Sequence, residues 1–265
     1  MVRIGFIGSG NMATALIKGI LEMGICDAKG IIASDNNPAK LDKVKQLEIS
    51  ATNRNKEVVQ HSDVIFLAVK PQDIYDVLKE IKDYIRRDNI IVSIAAGIKI
   101  SKIESIIGKK KIVRVMPNTP CLVSEMAAGF APNSEMEQQE IETIELILNA
   151  SGSAYRMKES LLDAVTGLSG SGPAFVAELI KAFTEAGIEN SLDRETAYAL
   201  TLQTFRGTAR LLSEKKMQPE ELVRMVSSPG GTTIAGREIL DNSDVKGVIK
   251  KAIRKAVERS RELGK

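Results

Sequence analysis

The chain is predicted to join an α/β doubly wound sheet, over residues 1–158, to an all-α domain over residues 159–265. Three observations carry that reading. Short apolar runs alternate with amphipathic segments through the first half, the rhythm of parallel strands covered by helices on both faces. A glycine-rich turn closes the first of those runs. Beyond about residue 160 the strand-like runs vanish, and long amphipathic patterns rich in Ala, Leu, Glu and Lys replace them.

The elements follow in order. Val2, Ile4, Phe6 and Ile7 form an apolar strand that runs into Gly8-Ser9-Gly10-Asn11-Met12-Ala13. Met12, Ala15, Leu16, Ile20 and Leu21 then recur with helical period. Gly8, Gly10 and Ala13 are the Gly-x-Gly-x-x-Ala form of the dinucleotide fingerprint, in the strand–turn–helix context it requires. Gly8 permits the tight turn. Gly10 lets the backbone approach a pyrophosphate seated on the helix N-terminus, and Ala13 keeps the helix close to the strand; the sheet is therefore expected to be Rossmann-like. Further strands are expected at 31–33, 64–69, 90–95, 112–116, 126–131 and 153–157, with helices at 38–47, from Pro71 through Ile81, at 101–106 and at 137–148.

The second half reads as helices at 175–187, 194–212, 220–225, 233–240 and 245–263, with Gly187 as a C-cap and Asp193 as an N-cap. The segment 197–212 is apolar around much of its circumference, through Ala199, Leu200, Leu202, Phe205, Ala209, Leu211 and Leu212. A helical unit of this size barely closes its own core, so a homodimer through this half is expected.

Composition excludes several classes. The net charge is only +3 and aromatics are 4% without Trp, which argues against a nucleic-acid surface. The two cysteines, Cys26 and Cys121, lie far apart and form no metal or disulfide framework, so a reducing compartment and a cytoplasmic location are expected. No leader is expected before the first strand, and no apolar run reaches membrane-spanning length. The single histidine, His61, is placed at a helix end on the surface, and no metal site is expected.

Three segments lie at the carboxyl ends of expected parallel strands, where open α/β sheets bind ligands: Ala68-Val69-Lys70-Pro71-Gln72, Ala95-Ala96-Gly97 and Met116-Pro117-Asn118-Thr119-Pro120. Together they outline a cofactor cleft. Two glycine-rich loops, 167–173 and Ser227-Ser228-Pro229-Gly230-Gly231-Thr232-Thr233, each lead into a helix. Such a turn presents N–H groups and a positive dipole end, suited to a carboxylate or phosphate; simple helix capping is the alternative.

The ordered series GFIGSGNMA, AVKPQ, SIAAGI, RVMPNTP, GLSGSGPAF and SSPGGTT, the last followed by AGREILD, resembles the Δ1-pyrroline-5-carboxylate reductase family over nearly the whole chain. The resemblance implies a Rossmann-like domain, a helical domain interlocked in a dimer, and in many members a decamer. It also implies hydride transfer from NADPH or NADH to the imine carbon of a small cyclic imine carboxylate, the last step of proline synthesis. Carried over, the substrate carboxylate meets backbone N–H groups of Gly230, Gly231 and Thr232, with Ser228 assisting. Thr233 meets the ring nitrogen and is the catalytic candidate. On the cofactor side the resemblance implicates Asn55, with Ala68, Lys70, Ala95, Pro117, Asn118 and Thr119 along the nicotinamide and ribose. Gly8, Gly10, Asn11, Met12, Ser34, Asp35, Val69, Pro71, Ala96 and Gly97 complete the expected cofactor residues.

One departure concerns cofactor choice. Asp35, after the second strand, can accept from a free ribose 2′-hydroxyl and would repel a 2′-phosphate, and no Lys or Arg lies closer in sequence than Lys40. NADH is therefore expected to serve at least as well as NADPH. Two other functions share parts of this plan. A β-hydroxyacid dehydrogenase-like oxidoreductase would place a proton-donating Lys soon after Gly172, where the chain has Pro173 to Glu178 and no Lys before Lys181. A non-catalytic NAD(P)-binding regulator would not need the SSPGGTT loop.

Overall fold

The computed structural model describes residues 2–264. They form two compact units, one of residues up to 171 together with those from 255 onward, the other of residues 172–254. The first holds an eight-stranded sheet of β1 (Ile4–Ile7), β2 (Ile31–Ser34), β3 (Ser50–Thr52), β4 (Val64–Leu67), β5 (Ile90–Ser93), β6 (Lys111–Met116), β7 (Met126–Pro132) and β8 (Gly152–Arg156). Their order is β3-β2-β1-β4-β5-β6-β7-β8. The strand order switches sides between the parallel neighbours β1 and β4, so the carboxyl ends of these two strands face one crevice.

The helices are α1 (Asn11–Glu22), α2 (Pro38–Lys45), α3 (Asn55–His61), α4 (Ile74–Ile81), α5 (Ile100–Ile107), α6 (Gln138–Asn149), α7 (Leu162–Val165), α8 (Gly172–Glu189), α9 (Arg194–Glu214), α10 (Pro219–Met225), α11 (Thr232–Asp241) and α12 (Val245–Leu263). The sequence reading delimits neither β3 nor α3, which are too short to show a period. His61 is the last residue of α3, as expected, but is half-buried.

The strands from β1 to β6 pair in parallel. β7 runs antiparallel to β6, because the connection 117–125 is too short to recross the sheet with a helix. β8 returns parallel to β7 through α6. Strand residues alternate between two apolar layers, as a period of two requires. Ile4, Phe6, Val64 and Phe66 face one layer with Leu16, Ile17 and Ile20 of α1. Ile7, Ile65 and Leu67 face the other with Val58 of α3 and Leu78 of α4. Phe6 and Phe66 stack at 4.7 Å between centroids, locking β1 against β4 where the crevice begins.

Two expectations about glycines are corrected. The segment 167–173 is not an open loop: Thr166–Gly170 forms a π-helical turn, with the Ser171 N–H donating to the Thr166 carbonyl at 2.8 Å. Thr166 and Ser169 donate their hydroxyls back to the Leu162 and Val165 carbonyls, which holds the wide turn. Gly187 does not cap α8 but lies within it. A Cβ there would stand 3.1 Å from the Ala197 side chain, so the position is small in order to let α9 approach. Asp193 does cap α9, accepting from the Thr196 N–H at 2.9 Å.

One buried charge fastens the first unit. Arg114 on β6 is 4% exposed and faces Glu159 at 3.3 Å and Asp163 at 3.9 Å. Glu159 also accepts the N–H of Ile100 at the head of α5. Asp163 accepts the buried Ser260 hydroxyl at 2.7 Å, from the last turns of α12. Removing the buried arginine leaves two partly buried carboxylates without their cation, which is costly. Arg114→Met is therefore expected to lower the unfolding free energy by about 3 kcal/mol, and Ser260→Ala by about 1 kcal/mol. Denaturant midpoints check both, and equal losses would contradict the network.

Candidate functional site

The turn from β1 into α1 is forced tight. Gly8 has φ +94°, and a Cβ there would stand 2.6 Å from the Ala68 carbonyl oxygen at the end of β4. Only glycine fits that conformation and that gap. Gly10, by contrast, faces open space, with nothing within 4 Å of where its Cβ would be. The head of α1 has no side-chain cap, so its first N–H groups remain for an anionic ligand.

Beside this turn lies a cleft of about 500 Å³. Of the residues read from sequence, Gly8, Gly10, Ser34, Asp35, Asn55, Ala68, Val69 and Lys70 line it together. Asn11 and Met12 open α1 next to it, and Pro71 follows Lys70. Ala95, Ala96, Gly97, Pro117, Asn118 and Thr119 sit at the ends of β5 and β6, outside its lining. The Asn118 side chain is committed to structure: its amide donates to the Ser169 carbonyl and its oxygen accepts the Ala127 N–H.

Asp35 organises the mouth of the cleft. Its carboxylate accepts the Ser9 N–H at 3.0 Å, the Asn37 N–H at 2.9 Å and the Lys40 ammonium at 3.2 Å. It thereby ties the fingerprint turn to the loop after β2. Burial pushes this carboxyl up, but the Ser9 and Asn37 N–H groups and Lys40 together more than reverse that and hold it below its ordinary value. Asn55 is equally engaged. Its oxygen accepts the Ser34 hydroxyl at 2.7 Å, and its amide donates to Glu80 of α4 at 2.8 Å.

Lys40 and Glu80 are the residues that sequence reasoning missed. Lys40 had a local signal: Pro38 opens α2 and Asn37 caps it, so a side chain in the first turn leans back over the preceding loop. Glu80 had none, because it meets Asn55 only through packing of α4 beside α3.

The second predicted loop ends at α11. Gly230 takes φ +71°, and the Gly231 N–H is spent on the Ser228 carbonyl at 2.9 Å. Ser228, Gly230 and Thr232 are exposed and Thr233 is half-buried. α11 has no side-chain cap, which leaves the first-turn N–H groups from Thr232 onward for an anion.

Two family models match the chain. One, described as pyrroline-5-carboxylate reductase dimerisation, matches residues 159–263; the other, described as NADP oxidoreductase coenzyme F420-dependent, matches residues 3–97. A pyrroline-5-carboxylate reductase of Methanosarcina acetivorans is 41% identical, over 99% of this chain and 98% of the relative. The solved pyrroline-5-carboxylate reductase of Coxiella burnetii is 34% identical with a TM-score of 0.95, covering 100% of this chain and 99% of that one. The Plasmodium falciparum pyrroline carboxylate reductase, solved with NADP bound, is 32% identical with a TM-score of 0.88, covering 100% and 98%.

The Asp35 hydrogen bonds give a pH prediction. A carboxyl whose folded pKa is depressed leaves the unfolded chain binding more protons between the two values, so its contribution is present above the unfolded pKa and is lost as pH falls through the folded one. Wild type is expected to exceed Asp35→Asn in stability at pH 7, with the gap shrinking below about pH 4. Thermal midpoints across that range check this, and a gap independent of pH would contradict it.

Proposed function

We propose, on the premise that the chain belongs to the pyrroline-5-carboxylate reductase family, that it reduces the imine of 1-pyrroline-5-carboxylate to L-proline with hydride from NADPH or NADH. The observation that carries this reading is the full-length likeness to solved reductases, which covers 100% of this chain in both. The cleft supports it. Gly8 is held where only glycine fits, and Gly10 leaves room for a close ligand.

A dinucleotide held by that cleft would supply the hydride from its nicotinamide. The remaining work falls to this chain's own residues. The backbone N–H groups of Gly230, Thr232 and Thr233, with the Ser228 hydroxyl, hold the substrate carboxylate at the positive end of α11. The Gly231 N–H, bonded to Ser228, shapes the turn instead of facing the ligand. The Thr233 hydroxyl holds the ring nitrogen and its proton. A protonated imine is already a good electrophile, so the site needs no stronger acid than this. Asn11, Met12, Asn55, Ala68, Val69, Lys70 and Pro71, with 95–97 and 117–119, complete the proposed cofactor wall.

We assign dinucleotide binding to residues 1–158 and substrate binding and dimerisation to 159–265, a division that the match at 159–263 supports. A homodimer through the helical half is proposed. Phe183, Tyr198, Leu200, Ile239 and Val248 are all more than half exposed on its helices, an apolar surface that a second copy would cover. Association of such dimers into a decamer and a cytoplasmic location belong to the same proposal; among the described residues no helix is long and apolar enough to cross a membrane.

Purified protein is expected to oxidise NADH and NADPH in the presence of pyrroline-5-carboxylate, with kcat/KM for NADH at least equal to that for NADPH. A preference of about a hundredfold for NADPH, some 2.7 kcal/mol, would contradict the role given to Asp35. Thr233→Ala is expected to lose about a hundredfold in kcat/KM with cofactor affinity unchanged. Absence of oxidation by a folded protein with either cofactor would overturn the assignment.

A further inference from the structure

The mouth of the cleft holds an ion pair of which the proposed function uses only Asp35. Asp35 has three donors of two kinds. Ser9 and Asn37 give fixed backbone N–H groups, one to each oxygen. Lys40 gives a mobile ammonium that reaches both oxygens, at 3.2 and 3.5 Å. The Lys40 side chain is 45% exposed, while that of Asp35 is 10% exposed. An ion pair with one member in water is weak, and lysine is a point charge on a flexible stem. If Lys40 swings away, Asp35 still keeps one backbone donor on each oxygen and is not orphaned.

Among the residues lining the cleft the only other positive side chain is Lys70, at the end of β4. The Ser34 hydroxyl is spent on Asn55. An acid after the second strand of such a fold lies by the ribose of a dinucleotide. There the chain presents an acceptor suited to a hydroxyl and, within one side chain's reach, a detachable cation suited to a phosphate.

We infer that Lys40 is an exchangeable counter-ion that lets one cleft take both cofactors, resting on Asp35 when the ribose carries a 2′-hydroxyl and pairing with the phosphate when it carries a 2′-phosphate. The inference rests on the reading of this cleft as a dinucleotide site. It makes Lys40, through its exchange between partners, the residue that decides whether the phosphorylated cofactor is accepted, with Asp35 setting the acceptance of the other.

Equilibrium titration calorimetry of NAD⁺ and NADP⁺ against wild type, Lys40→Met and Lys40→Arg tests this without turnover. Lys40→Met is expected to weaken NADP⁺ by about tenfold or more and to leave NAD⁺ within about twofold. Lys40→Arg is expected to keep both. Raising salt should weaken NADP⁺ more steeply than NAD⁺ in wild type, and the difference should vanish in Lys40→Met. Equal effects of Lys40→Met on both nucleotides, or none on NADP⁺, would overturn the inference while leaving the dinucleotide site intact. Failure of wild type to bind either nucleotide would instead overturn the reading of the cleft itself, and the inference with it.

Discussion

Between Gly8 and the end of β4 there is no room for a methyl group. The turn out of β1 passes so close to the Ala68 carbonyl that a Cβ would stand 2.6 Å from it, in a backbone conformation that L side chains rarely adopt. This contact determines where α1 begins. It turns the first N–H groups of the helix toward the crevice between β1 and β4, and it leaves Gly10 facing open space. The stacked rings of Phe6 and Phe66 hold the two strands together just beneath. A binding cleft here follows from one steric limit and the strand order around it.

The Asp35 carboxylate then keeps the cleft in shape. It bonds the turn from one side and the loop after β2 from the other, adding a side-chain fastening to the Gly8 N–H bond on the Ser34 carbonyl. The chain from Ser34 through Asn55 to Glu80 extends the same fastening to α3 and α4. Polar side chains around the cleft are thus largely committed to each other. Selectivity at the ribose is left to a group that can change partners at little cost, and Lys40 is such a group.

What was legible in the sequence was local. The fingerprint turn, the Asp193 cap and the short apolar strands are each set by residues within a few positions of one another, and the structure shows them as expected. What was not legible depends on contacts across the fold. Gly187 looks like a helix end until Ala197 is seen against it. The segment 167–173 looks like a loop until Thr166 and Ser169 are seen bonding back along the chain, with the Asn118 amide on the Ser169 carbonyl. The Asn55–Glu80 bond joins residues 25 positions apart and leaves no pattern in the chain. In the sequence Asp35 looks like a free acceptor, whereas Ser9, Asn37 and Lys40 already engage both of its oxygens.

The most direct measurement of the central claim follows the hydrogen itself. The protein would be incubated with NADH carrying deuterium at both positions of nicotinamide C4 and with pyrroline-5-carboxylate, and the product analysed by mass spectrometry and NMR. The account predicts proline bearing one deuterium, on the ring carbon that had been the imine carbon. Proline without deuterium, or oxidation of the cofactor without proline, would contradict it.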